Sequence, residues 1–94
     1  MNIKVDFYEK TTSHCTFCKS MMNVLNTWIE NSSDKVEVST HSIEENLESL
    51  IAEGVQAKAA PVVIVERGKN ITVISGNNPD ILVDALNGKS SIWD

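Results

Sequence analysis

Cys15 and Cys18 are the only thiols in this chain of 94 residues, and they stand three positions apart with Thr16-Phe17 between them. Random placement would give that separation about one time in fifty, so the spacing asks for a chemical reason. The alternating run Ile3-Lys4-Val5-Asp6-Phe7-Tyr8 precedes the pair, and a run of helical periodicity from Lys19 to Ile29 follows it. The pair therefore falls at a strand-to-helix junction. The first sulfur is expected at the helix N-terminus and the second one turn in, on the same face. Unpaired N–H groups and the positive end of the helix dipole favour a thiolate there. The Cys15 thiol is thus expected to ionise more readily than a free cysteine and to be the attacking sulfur. Cys18 is placed to attack the resulting mixed disulfide and release a reduced substrate. Two other readings stand beside this one. Half of a zinc site would need four ligands, and the chain offers only His14 and His41 besides the cysteines. An inert disulfide would do no more than staple a helix end.

Bulk properties narrow the classes. The net charge is −5 and no basic cluster is present, which argues against nucleic-acid binding and against an anionic membrane surface. A single close pair of cysteines is too few for a secreted disulfide scaffold. The start of the chain enters a strand directly, without the apolar core of a signal peptide, and no apolar run is long enough to span a bilayer. A cytoplasmic location is expected, where a dithiol is more often catalytic than structural. Residues 1–94 are read as one domain, and nothing in the sequence demands more than a monomer.

The remaining elements must position the cysteines. Residues 3–8 read as a strand, and Thr11-Thr12-Ser13-His14 as a polar loop. Cys18, Met21, Met22, Leu25, Trp28 and Ile29 form an apolar stripe at helical spacing that should pack on a sheet. Asn31 to Asp34 makes a turn, and Lys35 to His41 alternates as an exposed or edge strand. Ser42-Ile43-Glu44-Glu45 has the form of a capping box, with Ser42 as N-cap and Glu45 at its third position. The helix it opens ends at Gly54, and its acidic residues Glu44, Glu45, Glu48 and Glu53 read as a solvated face. Pro61 opens the most apolar run, Val62-Val63-Ile64-Val65, which should be buried on both faces. A hairpin leads to Ile71–Ile74, and Asn78-Pro79-Asp80 starts a third helix that Asn87-Gly88 ends. Trp93 in the short tail is expected either to fold back or to be exposed. The order β-α-β-α-β-β-α predicts an α/β fold, a four-stranded mixed sheet with helices on both faces.

This order, with Cys-x-x-Cys after the first strand and a proline opening the third, resembles the thioredoxin superfamily. The length points to its smallest members, the glutaredoxins and the NrdH-type redoxins. The resemblance covers nearly the whole chain. It implies a thioredoxin-like fold, Cys15 as nucleophile and Cys18 as resolving cysteine. It implies a cis Ala60–Pro61 bond facing the cysteines, with Ala60 able to pair with a substrate strand. Substrate or glutathione contacts are implied for Thr16, Phe17, Ala60, Pro61, Gly76, Asn77, Asn78 and Asp80. The chain departs from glutaredoxins in having Thr16-Phe17 for Pro-Tyr, Ala59-Ala60 before the proline for Thr-Val, and Lys10 further upstream than their glutathione-binding lysine. Ser75-Gly76-Asn77-Asn78-Pro79-Asp80 is similar to the Ser-Gly-x-x-Pro-Asp pattern of the NrdH-type redoxins. By resemblance the electron source is glutathione or thioredoxin reductase, and ribonucleotide reductase is a client. No tightly bound cofactor and no metal are expected in this reading.

Three polar residues have open roles. Val5-Asp6-Phe7-Tyr8 is similar to the thioredoxin segment with a buried aspartate behind the resolving cysteine, so Asp6 would take the Cys18 proton. Against this, alternation puts Asp6 opposite Val5 and Phe7, as a strand residue paired with Lys4, Lys35 or another surface lysine. His14 either lowers the Cys15 thiol further or is an exposed loop histidine. His41 is read as a strand end with no chemical part. The expected function is a small dithiol-disulfide oxidoreductase acting on protein disulfides or glutathione mixed disulfides. Its rivals are a glutathione-assisted [2Fe–2S] cluster-binding module and a non-catalytic interaction domain.

Overall fold

The computed structural model describes residues 2–55, 57 and 59–88. Trp93 and the tail lie outside the described residues. The elements run β1 (Asn2–Glu9), α1 (Thr16–Glu30), β2 (Lys35–Ser42), α2 (Ile43–Ala52), β3 (Val62–Arg67), β4 (Asn70–Ser75) and α3 (Pro79–Leu86). The sheet order is β2-β1-β3-β4, with β2 parallel to β1 and the other pairs antiparallel. The order of elements along the chain and the mixed sheet are as expected, and β2 lies at an edge.

Each strand of the interior owes its orientation to the alternation of its side chains. Ile3, Val5 and Phe7 of β1 face one side and pack with Val63, Val65 and Ile74 under the apolar faces of α1 and α3. Met21 and Leu25 of α1 and Leu82 and Leu86 of α3 are fully buried there. Burying one such side chain is worth about 1.5–3 kcal/mol relative to leaving it exposed. The indole Nε1 of Trp28 donates to Asn87 Oδ1 at 3.0 Å and ties α1 to the end of α3. On the other side of the sheet α2 packs Ile43 and Leu50 onto Val62, with Tyr8 and Ile64 partly buried beside them. Val62, Val63 and Val65 are buried, so β3 is covered on both faces as its composition predicts.

Local signals account for most element ends. Gly54 has φ +82°, a left-handed conformation that closes α2 through its own N–H to Ile51 O and the Val55 N–H to Leu50 O. Ser42 Oγ accepts from the Glu45 N–H at 3.3 Å, as an N-cap should. Asn78 stands at the N-cap of α3, but its side chain does not cap the helix. Its amide donates back to Ser75 O at 2.8 Å and fastens the turn that leads in.

Register decides what meets at the functional end. Tyr8 pairs with both His41 and Val62, Glu9 with Ser42, and Val62 with Ser75. The loop after β1, the start of α2, the segment before β3 and the turn after β4 therefore emerge at one edge of the sheet. In open α/β sheets that edge, outside the carboxyl ends of the parallel strands, is where ligands bind. Among the described residues, no helix is long and apolar enough to cross a membrane.

Candidate active site

Cys15 is the N-cap of α1, in extended conformation, and Cys18 lies in the first helical turn. The two are joined in a disulfide, with Cα atoms 5.2 Å apart. The cysteine pair thus forms the first turn of α1, as expected from its place at the strand-to-helix junction. The Cys18 N–H points at Cys15 Sγ, 3.2 Å away. A backbone donor aimed at this sulfur from a helix N-terminus stabilises negative charge on it. The sulfurs differ in access. Cys18 is 6% exposed and belongs to the core cluster with Phe7, whereas Cys15 is half-buried at its margin. Cys15 is thus the more accessible of the two sulfurs and the one that the Cys18 N–H caps.

Two open grooves flank Cys15. One, of about 450 Å³, is lined by Glu9, Lys10, Ser13, His14 and, from α1, Cys18, Lys19, Met22 and Asn23. The other, of about 420 Å³, runs past Thr16, Phe17, Ala59 and Ala60. Lys10, His14 and Cys15 line both. Phe17 is 54% exposed, an apolar contact offered at the rim. Lys10, Lys19 and Glu9 carry charges on the walls of these grooves.

The Ala60–Pro61 peptide is cis, and Pro61 is buried. The turn after β4 holds this segment in place. The Gly76 N–H donates to Pro61 O at 2.8 Å, and Ser75 Oγ donates to Ala59 O at 3.3 Å. Gly76 is buried with φ +81°, and a Cβ there would stand 3.3 Å from the Ala59 Cβ. The backbone conformation and the close approach both call for glycine. Among the expected site residues, Cys15, Thr16, Phe17 and Ala60 thus share a groove with His14, and Pro61 and Gly76 sit directly behind Ala60. Asn77 and Asp80 are exposed, Asn78 is taken up by Ser75 O, and none of the three lines either groove.

Among the described residues, Asp6 pairs with His41 rather than with a lysine or a cysteine. Its Oδ1 lies 3.0 Å from His41 Nε2, on the sheet face opposite Phe7 and the Cys18 cluster. His41 also stacks on the Tyr8 ring, with centroids 4.7 Å apart. The parallel register, Asp6 opposite Ser39 and Tyr8 opposite His41, brings these three side chains together. His41 thus lies near the end of β2, as read, and there it bridges β1 and β2.

Glu44 is exposed, as its place on the solvated face of α2 predicts, but its carboxylate is engaged by the loop after β1. Its Oε1 accepts from the Thr11 N–H at 3.0 Å, and its Oε2 from the Thr12 hydroxyl at 2.6 Å and the Thr12 N–H at 3.2 Å. Thr11 Oγ1 and Ser42 Oγ lie 3.0 Å apart, each 3.2 Å from Oε1. The Thr12 hydroxyl, then the Thr11 N–H, hold the Glu44 carboxyl well below the usual carboxylate range. An acid in the first turn of a helix was the visible signal; its partners 32 and 33 residues away were not.

This architecture, with a Cys-x-x-Cys disulfide at the first helix and a cis proline beside it, is a thioredoxin-like fold. No protein-family model matches the chain, nor does any curated protein. Solved structures do. Oxidised mitochondrial thioredoxin 3 from Saccharomyces cerevisiae superposes with a TM-score of 0.68 at 21% identity, over 92% of this chain and 77% of that one. A malarial protein gives 0.67 at 10% identity, over 94% and 97%. Oxidised thioredoxin from Plasmodium falciparum gives 0.63 at 14% identity, over 92% and 79%.

Proposed function

We propose that this protein is a small dithiol-disulfide oxidoreductase of the glutaredoxin or NrdH-like kind. The observation that carries the reading is the Cys15–Cys18 pair, bonded at a helix N-terminus with its more accessible sulfur between two open grooves. In the reduced protein the Cys15 thiolate attacks one sulfur of a substrate disulfide. The S–S bond breaks, a mixed disulfide forms on Cys15, and the other substrate sulfur leaves as a thiolate that takes up a proton. Cys18 then loses its proton and attacks Cys15 Sγ. The second substrate thiol is released and the Cys15–Cys18 disulfide remains. Two electrons and two protons have passed to the substrate. Two glutathione molecules, or the dithiol of thioredoxin reductase, return them.

The substrate class is protein disulfides or glutathione mixed disulfides, with ribonucleotide reductase as a client by resemblance. Phe17 and Ala60 offer a face for an extended peptide. Gly76, Asn77, Asn78 and Asp80 would serve glutathione only if it reaches past the turn after β4.

The test starts from oxidised protein and follows the return of free thiols with NADPH and either glutathione plus glutathione reductase or thioredoxin reductase. Reduction by glutathione alone makes it a glutaredoxin. Reduction by thioredoxin reductase alone makes it an NrdH-like redoxin and removes the glutathione contacts. Reduction by neither would overturn the proposal. Cys15→Ser is expected to abolish turnover, while Cys18→Ser should retain glutathione-linked activity and lose protein-disulfide reduction.

A further inference from the structure

The loop between β1 and Cys15 is long, polar and exposed, yet it supplies the residues common to both grooves, Lys10 and His14. Few interactions within the loop itself would order it. What orders it comes from a different element. Glu44, in the first turn of α2, takes the Thr11 and Thr12 N–H groups and the Thr12 hydroxyl on its two carboxylate oxygens, with Ser42 alongside. These are charge-assisted hydrogen bonds, stronger than neutral ones, and two of the donors are backbone groups that fix the path of the chain.

We propose that Glu44 is a positioning residue for the redox site: it clasps the loop so that Lys10 and His14 wall the grooves on either side of Cys15 and shape them for folded disulfide substrates. This rests on the oxidoreductase reading above. The carboxylate acts through the loop and touches neither sulfur. Its loss should weaken binding of a substrate large enough to occupy the grooves and leave the thiol chemistry intact. A small disulfide that meets only Cys15 should not sense the change.

Glu44→Gln tests this, because the amide keeps the shape but has one acceptor oxygen in place of two. Turnover is measured with dithiothreitol as reductant, using insulin as the protein disulfide and hydroxyethyl disulfide as the small one. The expected result is a KM for insulin raised about three- to tenfold with kcat within about twofold, the pattern of lost binding. Kinetics with hydroxyethyl disulfide should be unchanged. Thr12→Val, which removes the hydroxyl but keeps the N–H, should raise the insulin KM less, and adding it to Glu44→Gln should add little, since both act on one clasp. A merely structural glutamate would give a different pattern, with kcat falling alike for both substrates as folded protein is lost. That pattern, or an unchanged insulin KM, overturns the positioning role alone. A wild-type protein that reduces neither disulfide overturns it together with the oxidoreductase reading.

Discussion

Gly76→Ala is the sharpest probe of how the turn after β4 supports the redox site. The residue has φ +81°, and its N–H holds Pro61 O at 2.8 Å. An L-residue in that left-handed conformation costs about 1–2 kcal/mol. The new methyl would stand 3.3 Å from the Ala59 Cβ, closer than ordinary contact. Ala59 is exposed and can yield by a few tenths of an ångström, so the crowding adds about 1 kcal/mol, the low end for overpacking. The sum is about 2–3 kcal/mol. At about 4–8 °C per kcal/mol for a domain of this size, Tm should fall by about 10–20 °C. Gly68→Ala is the matched control. Its φ is +63°, and a Cβ there meets nothing within 4 Å. Its cost is the backbone strain alone, and the entropy lost by the unfolded chain is common to both variants. Thermal unfolding by circular dichroism should therefore place Gly76→Ala about 4–8 °C below Gly68→Ala. The same displacement moves Ala59 and Ala60 at the groove, so insulin reduction should slow in Gly76→Ala and not in Gly68→Ala. Equal melting temperatures and equal turnover would refute the claim that this turn buttresses the site.

Other outcomes follow from the same structure. Leu25→Ala removes a fully buried side chain between α1 and the sheet and should cost about 2–5 kcal/mol in urea denaturation. Tyr8 is the only tyrosine, and burial first, then the charges of Asp6 and Glu53, push its phenol above the ordinary 10.0. Its absorbance at 295 nm should titrate late, and because the unfolded chain ionises first, the stability tied to neutral Tyr8 is present below pH 10 and lost above it. Glu44 runs the other way. Its depressed carboxyl contributes stability that is full above the ordinary value of 4.5 and is lost only as pH falls below it, so the stability gap between wild type and Glu44→Gln should close in acid. A gap that stays constant down to the acid transition would contradict the clasp.

Much of the site could be read along the chain because its signals are short-range. Cysteines three apart at a strand-to-helix junction, a proline opening an apolar strand, Gly54 past a helix end, and the Asn78-Pro79 start all act within a turn or two of themselves. From these the element order, the mixed sheet and the place of the cysteine pair at the start of a helix follow by local geometry. Partner choice did not. Asp6 found His41 rather than a lysine because the parallel register of β1 and β2 sets them on one face, 35 residues apart in sequence. Glu44, on the exposed surface of α2, meets Thr11 and Thr12 because β1 and β2 end side by side, which brings the loop after one to the helix after the other. Gly76 meets Ala59 only because β4 returns beside the start of β3. The sequence by itself determined which residues are equipped for the proposed chemistry and which elements hold them. The tertiary structure alone decided which distant side chains shape the grooves, because hydrogen bonds between elements depend on strand order and register.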